Sequence, residues 1–413
     1  MGMVKRKIGD ILTLQRGYDL PASKMEGGNV AVVGSNGIIG YHNIVKYDAP
    51  CIIVGRSGSV GKVRYYSIPT WPHNTALFVK DFKGNDPLYL YYFLKNLHLD
   101  EKFSKSSSVV PSLDRNIVHS LHVQFQEDIN EQKNIAKILS AFDIKIALNR
   151  QINDNLEAMA RQLYDYWFVQ FDFPNENGKP YKSNGGKMVW NEKLKRNIPN
   201  KWNNGILSNI ANITMGQSPD GSSYNENGNG TIFYQGSTDF GIRFPSIRKY
   251  TTAPSRFAKK GDILMSVRAP VGAMNIANND CCIGRGLTSL SSKVGSTTHL
   301  YYILDDLRMK FENINSAGTT FGALTKDGLY GLPVVVPSVD IIKQFEDICK
   351  PIFDKQMCIG EEINALTKQR DELLPLLMNG QATVNYHLSF GILFVYLFLY
   401  SQNMKYIWQQ KIY

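Results

Sequence analysis

The sequence predicts an α+β protein in which two copies of one mixed α/β domain are separated by long coiled-coil helices. Three observations lead to this prediction. Sequence motifs recur at one fixed distance along the 413 residues. Each copy opens with a glycine-rich segment that contains short β-branched runs, and each closes with a long segment that has the apolar periodicity of a helix. The length also exceeds what one hydrophobic core usually organises, so two or more domains are expected.

The duplication is visible in paired motifs. Most pairs lie 211 positions apart, and a Leu-Tyr-Tyr element that starts at Leu90 recurs at Leu300, after 210 positions. Chance matches do not keep one offset over such a distance, so we infer that a unit of roughly 200 residues was copied. The pairs with the common offset are Val60-Gly61 with Val271-Gly272, Leu113 with Leu324, Leu121 with Leu332, Phe142-Asp143 with Phe353-Asp354, and Ile152-Asn153 with Ile363-Asn364. The opening motif recurs after 199 positions, as Ile8, Ile11, Leu14 and Gly17 with Leu207, Ile210, Ile213 and Gly216.

Each copy begins with a domain that we call a head. Residues 1–126 are the first head and residues 201–337 the second. Runs of β-branched residues between glycines predict short strands, for example at 30–33 and 51–54. The Leu-Tyr-Tyr element predicts a short amphipathic helix in each head, and a closing strand is expected at 121–125 in the first head and at 332–336 in the second.

A long spacer helix is predicted after each head, over residues 127–170 and 338–384. A helix of ~40 residues is ~60 Å long. The apolar residues repeat about every 3.5 positions, which favours an intramolecular coiled coil; the alternative is a core helix of a larger globular domain. The predicted seam comprises Ile135, Ile138, Phe142, Lys145, Asn149, Ile152, Leu156, Met159, Leu163 and Tyr166 in the first helix, and Phe345, Cys349, Ile352, Gln356, Ile359, Ile363, Leu366, Arg370, Leu373 and Leu377 in the second.

Two further segments complete the chain. Residues 171–200 are rich in Pro, Asn, Gly and Lys and predict a connecting loop, the linker. Residues 385–413 form an atypical C-terminal tail. Its apolar run, residues 388–400, is shorter than the ~20 residues that cross a bilayer, so no membrane span is expected.

The composition favours a polyanionic partner. The formal net charge is +10 and the isoelectric point about 9.1, while 43% of the residues are hydrophobic, enough for folded cores. The five cysteines form no C-x-x-C pair, and no apolar signal segment follows the first residues. These features predict a protein of the reducing cytoplasm.

Two related heads on a stiff spacer suit a partner that is itself a periodic rod. Duplex DNA is such a partner, and dimeric DNA readers set the distance between half-sites in this way. Because the heads are related but not identical, the expected target is asymmetric and bipartite. Polar, glycine-permitted loops recur in both heads and supply groups that bind phosphates or base edges. The candidate DNA-binding residues are Ser35, Asn36, Arg56, Ser57, Ser59, Lys62, Arg64, His73, Asn74, Lys105 and Ser107 in the first head, and Ser237, Thr238, Arg268, Arg285, Thr319, Thr320 and Lys326 in the second.

No catalytic apparatus is recognisable in the sequence. The stretch from Gly55 to Lys62 fails as a nucleotide-binding P-loop, because Arg56 occupies the position of its first glycine and Val63 that of its Ser or Thr. We find no amino-methyltransferase motif, no helicase or nuclease constellation and no metal site. A non-catalytic DNA-recognition protein is therefore expected, without a bound cofactor. The alternatives are a self-contained methyltransferase fused to a recognition domain, and a two-headed protein-binding scaffold.

The order of these motifs resembles the specificity (S) subunits of Type I restriction–modification systems, over about residues 5–384. The resemblance rests on five features of the sequence. They are the opening Ile8-Gly9-Asp10-Ile11 with Gly17, the loop from Arg56 to Gly61 with its partner from Arg268 to Gly272, the segment after Leu121 that leads into Gln132, Ile138-Leu139 and Phe142-Asp143, the segment after Leu332 that leads into Gln344 and Phe353-Asp354, and the ending Leu373-Leu374-Pro375 with Leu377-Met378-Asn379-Gly380.

The resemblance implies a division of labour between subunits. Each head would be a target-recognition domain that reads one half of a split target through the major groove. The two helices would pack antiparallel, set the gap and dock two methyltransferase subunits, with Ile135, Ile138, Phe142, Ile152, Leu156, Phe345, Ile352, Ile363, Leu366 and Leu373 as the seam and docking residues. The methyltransferase subunits would carry S-adenosylmethionine, and restriction subunits would join the complex.

Overall fold

A computed structural model describes residues 2–103, 112–316 and 323–382 of the chain. The described residues fold as two compact units. The first contains the chain up to Ile146 together with the residues from Leu366 onward, and the second runs from Ala147 to Ala365. Both divisions fall inside long helices, so the domain boundaries drawn above at the helix ends stay predictions. Within the described ranges, no helix is long and apolar enough to cross a membrane; residues 388–400 lie outside them.

The first unit is built from three small sheets, short helices and parts of both long helices. β2, β8, β5 and β6 form a four-stranded antiparallel sheet, β4, β3 and β7 form a mixed sheet, and β1 pairs with β9. The elements are β1 (Val4–Lys7), α1 (Ile8–Ile11), β2 (Thr13–Arg16), β3 (Val30–Gly34), β4 (Gly37–His42), β5 (Cys51–Gly55), β6 (Val63–Tyr66), β7 (Thr70–Pro72), β8 (Ala76–Asp81), α2 (Pro87–Asn96), α3 (Leu99–Phe103), α4 (Arg115–Ser120), β9 (His122–Phe125) and the start of α5 (Ile129–Tyr164).

The second unit repeats this plan. β13, β21, β18 and β19 form the four-stranded sheet, β12 pairs with β22, and the mixed sheet is enlarged to β14, β16, β15, β20 and β17. The elements are β10 (Met188–Asn191), β11 (Arg196–Pro199), β12 (Asn203–Ile206), α6 (Leu207–Ile210), β13 (Ala211–Met215), β14 (Tyr224–Asn225), β15 (Thr231–Tyr234), β16 (Tyr250–Thr251), β17 (Phe257–Ala258), β18 (Ile263–Ser266), β19 (Met274–Ile276), β20 (Cys281–Ile283), β21 (Leu287–Ser292), α7 (Thr297–Ser316), α8 (Lys326–Tyr330), β22 (Pro333–Val336) and most of α9 (Val339–Met378).

The predicted fold class is confirmed. Both four-stranded sheets have the same strand order, and in each unit the first strand of the head pairs with its closing strand. The strands predicted at 30–33 and 51–54 are β3 and β5, and the Leu-Tyr-Tyr elements lie in α2 and α7. α2 starts where the sequence provides a cap, since the Asp86 carboxylate accepts the Tyr89 N–H and Pro87 stands at the first helical position.

The long helices keep a heptad-like pattern, but the predicted seam of α5 is wrong at Met159 and Tyr166. Met159 is 58% exposed and Tyr166 36%. Their C-terminal neighbours Ala160 and Trp167 are the buried residues instead. Leu139 is likewise more buried than the predicted Ile138. At each of these places two adjacent residues are apolar, so the sequence fits a heptad seam through either residue. Only the packing of the folded helices shows which of the two is buried.

The helices pack antiparallel within the second unit. Near the middle of α9, Gln356 donates a hydrogen bond to Glu157 of α5 (2.9 Å), while Phe345, nearer the start of α9, packs against Tyr164 at the end of α5. In the first unit, Arg370 of α9 forms an ion pair with Asp143 of α5 at 2.5 Å. The sequence order of the partners is therefore opposite along the two helices.

The linker is not the plain loop that its composition predicts. β10 and β11 form a hairpin within it. Phe173, which precedes the hairpin, is 5% exposed and stacks on Tyr181 and Trp202 with ring centroids 4.7 and 4.8 Å apart. Pro, Asn and Gly set the turns, whereas the aromatic residues between them supply apolar surface that the second unit buries.

Two histidines are held neutral and give the fold a pH dependence. Burial lowers the pKa of His299 to about 3, and burial with the nearby charge of Arg115 lowers the pKa of His119, whose Nε2 accepts the Leu14 N–H at 2.8 Å. Since the unfolded chain binds these protons near pH 6.5, the stability from both groups is complete above that pH and is lost as the pH falls.

We expect the free energy of unfolding to fall on acidification below pH 6.5, by roughly 2 kcal/mol at pH 5 from His299 alone. The measurement is urea unfolding of the wild type and of His299→Phe at pH 7.5 and pH 5. The variant should show a smaller loss between the two pH values. An equal loss in both proteins would contradict this assignment.

Candidate nucleic-acid interface

In the first head, three predicted polar loops are joined by one residue, Thr75. The Thr75 carbonyl accepts the backbone N–H groups of Arg56 (3.1 Å) and Ser57 (3.0 Å), and it also accepts the hydroxyl of Ser35. The Thr75 hydroxyl accepts the Ser35 N–H at 3.3 Å and lies 3.1 Å from Nδ1 of His73. The turn between β3 and β4, the loop between β5 and β6, and the loop between β7 and β8 thereby form one surface.

The cations of this surface are held by carbonyl groups rather than by carboxylates. Arg64 donates to the Ser35 carbonyl at 2.6 Å, and Arg56 to the Asn74 carbonyl at 3.4 Å. Within the described ranges, Arg56, Arg64 and the exposed Lys62 have no ion-pair partner. A carbonyl orients a guanidinium without neutralising it, so the charge remains available to an anion such as a phosphate.

The predicted residues of the first head differ in access to solvent. Asn36 is exposed and accepts the hydroxyl of Ser59 at 3.0 Å, which links two loop tips. Asn74 donates to Asp19, an acidic residue at this surface that the sequence did not single out. Ser35 is 4% exposed, and its hydroxyl is used by the loop junction. We therefore assign Ser35 to loop geometry, and its DNA contact stays a prediction.

Gly61, in the loop between β5 and β6, requires glycine both for its conformation and for a close contact. Its φ is +76°, and a Cβ atom there would lie 2.2 Å from the backbone nitrogen of Asp100 in α3. The close approach of loop and helix fixes the base of the loop, so its polar tip starts from a rigid support.

The second head repeats one hydrogen bond of this junction at an equivalent position. Gly286 takes the place of Thr75, and its carbonyl accepts the Val267 N–H at 3.0 Å. In the neighbouring turn, the buried Asp239 binds Nε of Arg248 at 2.8 Å and accepts the Gln235 N–H at 3.2 Å. This buried carboxylate anchors the turn that carries the predicted Ser237 and Thr238.

The two loop arginines are not equivalent, in contrast to what their similar sequence context indicates. Leu113 donates its N–H to the carbonyl of Arg56, whereas Leu324 donates to that of Val267. Arg56 therefore corresponds to the buried Val267, and Arg268 corresponds to Ser57. The exposed Arg268 and Arg285 stand at tips of the second head, and among the described residues neither has an ion-pair partner.

All of the predicted DNA contacts stay predictions, and some lie where the structure says little or nothing about them. Lys105, Ser107, Thr319 and Thr320 lie outside the described residues. Lys326 is exposed at the start of α8, with its ammonium 5.4 Å from the ring centroid of Tyr330. Thr75, Asp19 and Asp239 were missed. A signal for Thr75 existed in the fixed offset, since it matches Gly286 next to the predicted Arg285.

The predicted seam and docking residues are all buried or half-buried in the folded chain. Their role in docking stays a prediction, because side chains buried within one chain offer little surface to another. Ile135, Phe142, Phe345, Ile363 and Leu366 are buried, and Ile138, Ile152, Leu156, Ile352 and Leu373 are half-buried.

Comparison with known proteins agrees with this architecture. The model of the Type I restriction modification DNA specificity domain matches residues 1–158 and 199–368, once for each copy of the duplication. The chain belongs to this specificity family. A putative Type I restriction enzyme MjaX specificity subunit from Methanocaldococcus jannaschii is 32% identical over 310 residues, which cover 72% of this chain and 69% of that protein.

Other specificity subunits extend the similarity. The Type I restriction enzyme HindI specificity subunit of Haemophilus influenzae is 24% identical over 363 residues, covering 71% of this chain and 77% of the relative. The crystal structure of a Type I restriction–modification S subunit from M. genitalium shares the fold. It has a TM-score of 0.57 and 20% identity, and it matches 91% of this chain and 96% of its own.

Proposed function

We propose that this specificity subunit reads an asymmetric, bipartite duplex DNA target, with each head binding one half. The single observation that carries this proposal is the paired loop junction. Both heads present cations on the loops of this region, at positions that are not equivalent, and these cations have no carboxylate partners among the described residues. The residues at equivalent positions differ, as Ser57 and Arg268 illustrate, and two different half-sites follow from that difference.

In this proposal the chain recognises the DNA sequence, and its partner subunits catalyse the methylation and cleavage reactions. Methyltransferase subunits, two for each chain, bind S-adenosylmethionine and methylate adenine, and restriction subunits join for cleavage. The relatives are specificity subunits of restriction enzymes, which supports this arrangement. All five cysteines have free thiols, which suits a reducing compartment, and we place the protein in the cytoplasm.

The test is duplex binding by the full chain as a function of salt, combined with co-purification of a Type I methyltransferase subunit. With about six phosphate contacts, affinity should fall about 10³-fold between 50 and 200 mM salt. A protein that binds no duplex at low salt would instead be a two-headed protein scaffold. Methyl transfer by the isolated chain would favour the self-contained methyltransferase.

A further inference from the structure

The second unit contains a partly open cavity of about 170 Å³ that the DNA-reading proposal does not use. It lies between the end of α5, the β10–β11 hairpin, the first turns of α7 and β22. Apolar and aromatic side chains, among them Phe168, Trp202 and Ile303, form much of its wall. An enclosed apolar cavity of about 150 Å³ holds one benzene ring, so by volume this partly open cavity has room for a single planar ring.

His299 gives the cavity a polar group without a protein partner. Its side chain lines the cavity, the residue is 4% exposed, and its ring contacts are aromatic, with the Phe168 centroid 4.4 Å away. Among the described residues, nothing hydrogen-bonds to its ring nitrogens. The neutral ring has one donor and one acceptor nitrogen, so His299 offers the partly open cavity a hydrogen-bonding group that no described protein atom uses.

Cations complete the site. The exposed Lys193 and the half-buried Arg196, both from the hairpin, line the same cavity. Arg196 donates to the Val169 carbonyl at 3.1 Å, which leaves its charge uncompensated. Asp306 is the one carboxylate of the lining, and Arg161 holds it in an ion pair. The lining therefore joins apolar walls to net positive charge.

We propose that this cavity binds a small aromatic carboxylate, whose ring fills the apolar space while its carboxylate meets Lys193, Arg196 and the His299 N–H. Such a ligand has one group for each part of the lining. The ring covers the aromatic wall, and the anion matches the cations. This site is independent of the DNA-binding loops, so its test does not depend on them.

The experiment titrates the full chain with benzoate, toluene and acetate, using tryptophan fluorescence because Trp202 lines the cavity. Thermal unfolding is followed in parallel. We expect saturable quenching and a raised Tm with benzoate, a weaker response with toluene and none with acetate. An equal response to toluene and benzoate, or no saturable response to benzoate, would overturn the proposal.

A matched pair of exposed lysines tests the cation. Lys193→Gln should weaken benzoate binding at least fivefold and leave toluene binding unchanged. Lys195→Gln is the control, because Lys195 pairs with Glu192 at 3.3 Å and does not line the cavity. Benzoate affinity that is the same in both variants would overturn the proposed placement of the carboxylate. Because both lysines are exposed, we expect both variants to fold.

Discussion

Replacing Arg243 by methionine is expected to destabilise the second unit by about 2 kcal/mol, because it removes a buried guanidinium whose charged hydrogen bonds tie a loop of the second head to both long helices. The Arg243 side chain is 9% exposed and binds Glu157 of α5 at 3.0 Å. It also donates to Gln356 of α9 at 3.0 Å, and its guanidinium lies 4.6 Å from the ring centroid of Phe353.

The structure around Arg243 shows why this loop is not free to move. The next residue, Phe244, is buried and packs over Gly360 of α9, where a Cβ atom would lie 2.7 Å from the phenyl ring. Methionine keeps the volume of the arginine stem but leaves Glu157 with the Gln356 amide and the Tyr302 hydroxyl as its partners. The loss of stability in this variant therefore measures the contribution of the arginine charge and its hydrogen bonds rather than that of its volume.

Urea unfolding of Arg243→Met measures this prediction, with Lys260→Met as the control. Lys260 also joins the second head to α9, through Glu361, but the pair is 3.9 Å apart and both side chains are more than half exposed. Such pairs contribute less than about 1 kcal/mol. If the two variants lost the same stability, the buried cluster would not hold the head to the helices.

Arg268→Ala is expected to weaken specific duplex binding by about 1–3 kcal/mol, roughly 10- to 100-fold, if the guanidinium reads a base edge. Arg268 is exposed, and the Ser266 hydroxyl fixes its backbone by donating to its carbonyl at 2.6 Å. Arg56→Ala in the first head is expected to weaken duplex binding by a similar amount, although Arg56 has a different structural position.

Arg268→Lys separates a base contact from a phosphate contact. Lysine keeps the positive charge but lacks the planar fork, so it should restore binding to phosphate and not to a guanine edge. Lys201→Ala, at the first residue of the second head, removes one exposed charge that pairs with Glu176 of the linker, and it is the control for net charge. Affinity that stays at the wild-type level in both Arg56→Ala and Arg268→Ala would place the interface elsewhere.

The repeat explains why the fold was largely predictable. A fixed offset identified the two heads, and periodicity identified the helices, because each depends on local pattern. The sequence pattern did not show which of two adjacent apolar residues is buried in the helix contact. Ile138 and Leu139 are equally suited to a seam in sequence, and their burial is decided by the partner helix.

The sequence predicted the loops that form the candidate site but not the hydrogen bonds that hold those loops together. Glycines and polar residues marked the loops, and the structure brings those of the first head together. Thr75 was missed because it acts mainly through its backbone carbonyl, which every residue possesses. Asp239 was missed because its importance depends on burial beside Arg248 and Gln235, which are brought to it by folding.

The most direct test of the two-headed reading is selection of bound duplexes from a random library, with the full chain in complex with its methyltransferase partner. The selection is repeated after the second head, residues 201–337, is exchanged for that of a family member with another target. We predict that one half of the selected motif changes while the other half and the gap persist. A motif that is unchanged, or that changes in both halves, would contradict the account.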